Sequence, residues 1–94
     1  MTTTNLPPSP EITVYSTGWC PYCDRAKGLL KRKGLAFREI DVEHEPEQRL
    51  VMESRSGRMT VPQIFVGDHH VGGSDDLHAM DRAGEFDKLL KGPA

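Results

Sequence analysis

Ile12-Thr13-Val14-Tyr15-Ser16-Thr17-Gly18-Trp19-Cys20-Pro21-Tyr22-Cys23 compresses a strand, a loop and the start of a helix into one stretch, and it carries both cysteines of the chain. Ile12 to Tyr15 are β-branched and aromatic, the composition of a short buried strand. Ser16 to Trp19 read as the loop that follows. Pro21 suits the first position of a helix, where the N–H it lacks would be unpaired in any case. Residues three apart on a helix have Cα atoms ~5 Å apart, within the reach of a disulfide. Cys20 and Cys23 can therefore join and part without refolding the chain.

The helix is expected to run to about Lys33, with Gly34 as its stop. Cys23, Ala26 and Leu30 share its inner face, with Leu29 beside them, while Arg25, Lys27, Lys31 and Arg32 lie on the outer side. The basic cluster Lys31-Arg32-Lys33 suits the negative end of the helix dipole and reads as a solvated face rather than a binding patch. Ala36-Phe37-Arg38-Glu39-Ile40-Asp41-Val42 then alternates apolar and charged residues, a second strand parallel to the first across the helix.

A second helix follows, with Pro46 in its first turn, Leu50 and Val51 as inward candidates and Gly57 at its end. In Arg58-Met59-Thr60-Val61-Pro62-Gln63-Ile64-Phe65-Val66 the proline can stand only at the beginning of a strand, because a central position needs an N–H. Gly67-Asp68 is a two-residue hairpin turn, and His69-His70-Val71 returns antiparallel. Ser74 reads as the N-cap of a third helix with Leu77, Met80 and Ala83 as its stripe, and Phe86, Leu89 and Leu90 mark a last short helix. The order strand, helix, strand, helix, hairpin, helix predicts an α/β fold, a four-stranded mixed sheet flanked by helices on both sides, in a thioredoxin-like arrangement.

The chain has 94 residues, enough for one domain, with a net charge of −2 and 28% charged residues. That balance gives no basic field for nucleic acid or a membrane surface. Residues 1–10, with Pro7, Pro8 and Pro10, read as a disordered, extended N-terminal tail, and 11–94 as the folded domain. The start lacks the basic residues and apolar run of a secretory signal, so a cytoplasmic protein is expected, where a lone Cys-x-x-Cys is catalytic rather than structural.

Thiolate is the attacking form in thiol–disulfide chemistry. Cys20, facing the unpaired N–H groups and positive end of the helix, is the expected nucleophile. Cys23, one turn on and facing inward, stays neutral and acts second, as the resolving thiol.

Three motifs in order, Cys20-Pro21-Tyr22-Cys23, Thr60-Val61-Pro62 and Gly72-Gly73-Ser74-Asp75-Asp76-Leu77, resemble the dithiol glutaredoxins of the Cys-Pro-Tyr-Cys type, near bacterial glutaredoxin 3, over Glu11 to Lys91. Thioredoxins carry Gly-Pro between their cysteines and lack the Gly-Gly-x-Asp-Asp stretch. The ribonucleotide reductase donors of the family have Trp-Ser-Gly-Phe where this chain has Val71-Gly72-Gly73-Ser74. The resemblance implies a glutathione–disulfide oxidoreductase that reduces protein disulfides and protein–glutathione mixed disulfides, with glutathione as reductant and no permanently bound cofactor or metal. It implies a cis bond between Val61 and Pro62, and backbone pairing of glutathione there beside Thr60. Tyr22 would flank the sulfur, and Gly73, Ser74 and Asp75 would hold the γ-glutamyl end. The expected partners are glutathione and disulfide-containing or glutathionylated proteins, and the expected state is a monomer.

Two residues depart from the family pattern. Thr17 stands where many members have a lysine near the thiolate, with Arg58 as a substitute cation; Trp19 stands where a smaller residue or proline is common. Trp19 either shields the thiolate and docks partners or packs on the sheet edge. Two other readings stay open: an iron–sulfur cluster carrier, against which Pro21 argues, and a mycoredoxin-like enzyme using another low-molecular-weight thiol. His44, His69, His70 and His78 lack zinc-finger spacing, and the adjacent His69 and His70 point to opposite faces of a strand.

Overall fold

The structure, a computed structural model, describes residues 10–91. The expected tail, apart from Pro10, lies outside the described residues. The elements are β1 (Ile12–Ser16), α1 (Pro21–Arg32), β2 (Arg38–Asp41), α2 (Pro46–Ser56), β3 (Gln63–Val66), β4 (His69–Gly72), α3 (Ser74–Arg82) and α4 (Glu85–Lys91). Among the described residues no helix is long and apolar enough to cross a membrane.

The strands lie in the order β2-β1-β3-β4. β1 pairs parallel with β2, Tyr15 opposite Ile40, and antiparallel with β3, Tyr15 opposite Gln63. β4 closes the other edge by returning antiparallel along β3. Every residue of β1 and β3 is buried, as expected of central strands covered on both faces. Alternation then divides the core. Ile12, Val14, Ile64 and Val66 join Ala26, Leu29 and Leu30 of α1, Leu77 of α3 and Phe86 and Leu90 of α4 on one face. Tyr15, Ile40, Val42 and Phe65 meet Met52 of α2 on the other. This is the expected mixed sheet with helices on both sides, a thioredoxin-like fold.

Several expectations need correction. β2 is shorter than 36–42: Ala36 and Phe37 lead into it from Gly34, whose φ of 72° turns the chain out of α1. Phe37 packs half-buried on the core, and the Val42 N–H still donates to the Ser16 carbonyl at 2.9 Å. In α2, Leu50 is 68% exposed and Val51 is also exposed; the inward residue is Met52. The sheet-facing stripe continues from Met52 to Arg55, whose guanidinium lies 4.0 Å from the centre of the Phe65 ring and donates to the Tyr15 hydroxyl at 3.0 Å. A charged side chain thus fills a core-facing position that a pattern of apolar residues does not mark. Ala83 is the exposed C-cap of α3, and the buried stripe of that helix rests on Leu77, with Met80 half-buried.

The basic end of α1 is not simply solvated. Lys33 Nζ lies 2.8 Å from Asp81 of α3 and 2.9 Å from Asp87 of α4, tying the three helices of one layer together. Met52→Ala removes a fully buried side chain and is expected to cost about 2–5 kcal/mol in urea unfolding. Leu50→Ala on the same helix is expected to stay within about 0.5 kcal/mol.

Candidate active site

β1 runs to its end at Ser16, and the loop Thr17 to Trp19 delivers the chain to α1. Cys20 is the N-cap of that helix, in an extended conformation, and Pro21 is its first residue. The Cys23 N–H donates to Cys20 Sγ at 3.2 Å, so the sulfur occupies the place that a serine or aspartate oxygen takes at an ordinary cap. Both cysteines are free thiols. Cys20 is partly exposed, whereas Cys23 is fully buried on the inner face of α1. Burial, helped by the hydrogen bond with Cys20, pushes the Cys23 thiol up to about 12.

Cys20 Sγ also lies 3.9 Å from the carbonyl oxygen of Val61, which precedes Pro62 across a cis bond. From Val61 a groove of about 320 Å³ extends away from the thiol, lined by Tyr22, Arg58, Thr60, Val61, Pro62, Gly73, Ser74, Asp75 and Asp76. All seven residues expected to hold a ligand therefore line one groove. A larger apolar hollow of about 840 Å³, between Val66, Met80 and Leu89, lies at the far end of β3, away from Val61 and the Cys20 thiol that it meets.

The floor of the groove is fixed from behind. Gln63, fully buried, donates its amide N–H to the Thr60 carbonyl at 3.0 Å and to the Thr60 hydroxyl at 3.2 Å, and its carbonyl oxygen meets His70 Nε2 at 2.7 Å. His70, partly buried against Phe65, is thereby absorbed into the scaffold, and burial holds its imidazole below the ordinary range. His69 on the neighbouring position is exposed.

At the far wall the helix start differs from expectation. Gly73 is the N-cap of α3 and Ser74 its first helical residue. Ser74 is only 3% exposed, and its Oγ has no hydrogen-bond partner among the described residues. The cap is made instead by Asp76, whose carboxylate accepts from the Gly73 N–H at 2.9 Å and from Arg58 Nη1 at 2.9 Å. Those two donors hold the Asp76 carboxyl below the usual carboxylate range. The arrangement is thus intact at neutral pH and is lost only as acid takes the pH down through that lowered value. Gly72 is held at φ 122°, and a Cβ there would come within 2.7 Å of Asp76 Cγ, so the turn that brings Asp76 under Gly73 requires glycine.

Asp76 lines the groove and Gly72 makes room for it, and neither is among the residues expected from the sequence to form the site. An acid three residues after an N-cap is the signal that identifies Asp76, and it appears only when Gly73 rather than Ser74 is the cap. Arg58, the expected substitute cation for the thiolate, is instead paired with Asp76 at the other end of the groove. Trp19 is 86% exposed, which excludes packing on the sheet edge, and Tyr22 is exposed beside it with the Arg25 guanidinium 5.9 Å from its ring centre.

The glutaredoxin family model matches residues 12–71. A glutaredoxin of Pseudomonas aeruginosa is 54% identical over 86% of this chain and 96% of its own length. Glutaredoxin 3 of Escherichia coli K12 is 49% identical over 86% of this chain and 98% of its own. Among solved structures, a buckwheat glutaredoxin–glutathione complex superposes with a TM-score of 0.80 at 28% identity, covering 87% of this chain and 77% of that one. With its two thiols at a helix start and its sheet in the order found, the chain belongs to the glutaredoxin family of thiol–disulfide oxidoreductases.

Proposed function

We propose that this glutaredoxin is a glutathione-dependent enzyme that reduces protein disulfides and protein–glutathione mixed disulfides through Cys20 and Cys23. The observation that carries the reading is the groove from Val61, whose carbonyl oxygen lies 3.9 Å from Cys20 Sγ, to the start of α3, where the buried Ser74 hydroxyl is unpartnered among the described residues. An unpaired buried hydroxyl costs about 1–3 kcal/mol, and a carboxylate seated on the N-terminal N–H groups of α3 would satisfy it. A tripeptide thiol with a carboxylate at one end and a sulfur in its middle fits that span. The superposition on a glutaredoxin bound to glutathione supports the same ligand.

In this reading the Cys20 thiolate attacks the glutathionyl sulfur of a mixed disulfide. The substrate protein leaves as a thiolate, and Cys20 is left bonded to glutathione. Val61 pairs its backbone with the cysteinyl unit beside Thr60 and Pro62, Tyr22 flanks the sulfur, and Gly73, Ser74 and Asp75 hold the γ-glutamyl end. A second glutathione then attacks the glutathionyl sulfur and frees Cys20, or Cys23 attacks Cys20 Sγ, closing the Cys20–Cys23 disulfide and expelling glutathione. Two glutathione molecules reduce that disulfide.

Three outcomes follow. A brief iodoacetamide pulse at pH 7, mapped by mass spectrometry, is expected to modify Cys20 and spare Cys23, whose thiol is neutral at all pH values well below 12. Cys20→Ser is expected to abolish all exchange, while Cys23→Ser retains deglutathionylation and loses dithiol reduction of protein disulfides; equal loss in both would overturn the assignment. Asp76→Asn, which keeps the shape of the cap and weakens its hold on Gly73 and Arg58, is expected to raise KM for a glutathionylated peptide about fivefold with kcat retained.

A further inference from the structure

His70 lies opposite Phe65 across the β3–β4 pairing, and Gln63, two residues back along β3, shares the Phe65 face of the sheet. The two side chains meet there, with His70 Nε2 2.7 Å from Gln63 Oε1, and Gln63 Nε2 lies 3.0 Å from the Thr60 carbonyl oxygen and 3.2 Å from the Thr60 hydroxyl. These bonds fix the floor of the groove by their length, and their polarity does more. A peptide carbonyl can only accept, so the end of Gln63 that faces Thr60 is the NH2 and the end that faces His70 is the oxygen. Gln63 is fully buried, and turning its amide over would set two carbonyl oxygens against each other away from water. Its oxygen also only accepts, so His70 Nε2 must carry a hydrogen. With the amide donating to it, the Thr60 hydroxyl serves as an acceptor on its inner side. Its own hydrogen is left for the groove that Thr60 lines.

We propose that His70 and Gln63 are positioning residues for glutathione: together they fix the polarity of the Thr60 hydroxyl, so that it meets the tripeptide as a hydrogen-bond donor to one of its carbonyl or carboxylate oxygens. The inference deepens the glutathione reading and rests on it. The tripeptide offers such oxygens along its length, and a hydroxyl free to turn would present a lone pair to them as readily as a hydrogen.

The chain of bonds runs from the outer strand of the sheet to the site. β4 forms that edge, and its His70 is partly buried against the Phe65 ring. Burial, and after it the charge of Arg58, lower the proton affinity of the imidazole, so at neutral pH a neutral ring faces Gln63. A neutral imidazole has one N–H, and placing it on Nε2 leaves Nδ1 bare. Protonation in acid adds a hydrogen at Nδ1 and leaves Nε2 as it is, so the polarity passed to Thr60 does not reverse.

The tautomer is tested by nitrogen NMR of the histidine rings in wild-type enzyme at about pH 7.5, where His70 is expected to carry its hydrogen on Nε2 and none on Nδ1. The polarity is tested by a double-mutant cycle on KM for a glutathionylated peptide. Thr60→Val, and His70→Phe, which keeps a ring against Phe65, are each expected to raise KM about threefold with kcat retained. His70→Gln, which restores an N–H donor, is expected to recover most of the loss. In the Thr60→Val background no hydroxyl is left to orient, and His70→Phe is expected to add little. Effects of the two substitutions that simply multiply, or a hydrogen on Nδ1 alone, overturn the inference, and the wild-type tautomer decides it even if His70→Phe does not fold. Wild-type enzyme with the same KM for cysteinyl and glutathionyl mixed disulfides of one peptide would overturn instead the underlying glutathione reading.

Discussion

Strand β1 is paired on both edges and buried on both faces, and this single constraint places the site. A strand so enclosed releases the chain only at its ends, and the parallel pairing with β2 demands a crossover helix that starts there. The helix start therefore falls at the end of the sheet where β1 stops, with Cys20 as its cap. The antiparallel partner β3 begins at the same end, so Val61 and Pro62 arrive opposite the thiol. The hairpin then brings Gly72 and Gly73 back beside Pro62, and the groove is complete.

One helical turn separates two chemically different thiols. Cys20 belongs to the cap, partly exposed among N–H groups, whereas Cys23 belongs to the core. The proposed division into attacker and resolver needs no further machinery for the first step beyond that placement. Beside that helix, Ser16 and Lys27 both meet Glu39, a network that joins β1, α1 and β2.

Much of the fold was legible because its signals are local. Pro21 marks a helix start, the alternation around Ile40 marks a strand, and glycines 34, 57 and 67 fall at positive φ where the chain turns. Local signals failed where an amphipathic side chain replaced an apolar one. Arg55 lies against Phe65 while Leu50 faces water, so the inner face of α2 could not be chosen by counting apolar residues. They failed also at Ser74, a good cap by residue type, because Asp76 reaches the Gly73 N–H first.

Sequence by itself determined the redox pair, its helix and the α/β order, since spacing, strand propensity and turn residues act within a few positions of one another. The three motifs also named the groove, because each is a contiguous run. What only the tertiary structure decided is how the charges are spent. Lys27 lies beside Glu39, Lys33 beside Asp81 and Asp87, and Arg58 beside Asp76. Each of these pairs joins separate elements of the chain. A side chain's partner across such a distance depends on how the layers pack, and no pattern along the sequence encodes which acid a given cation will meet.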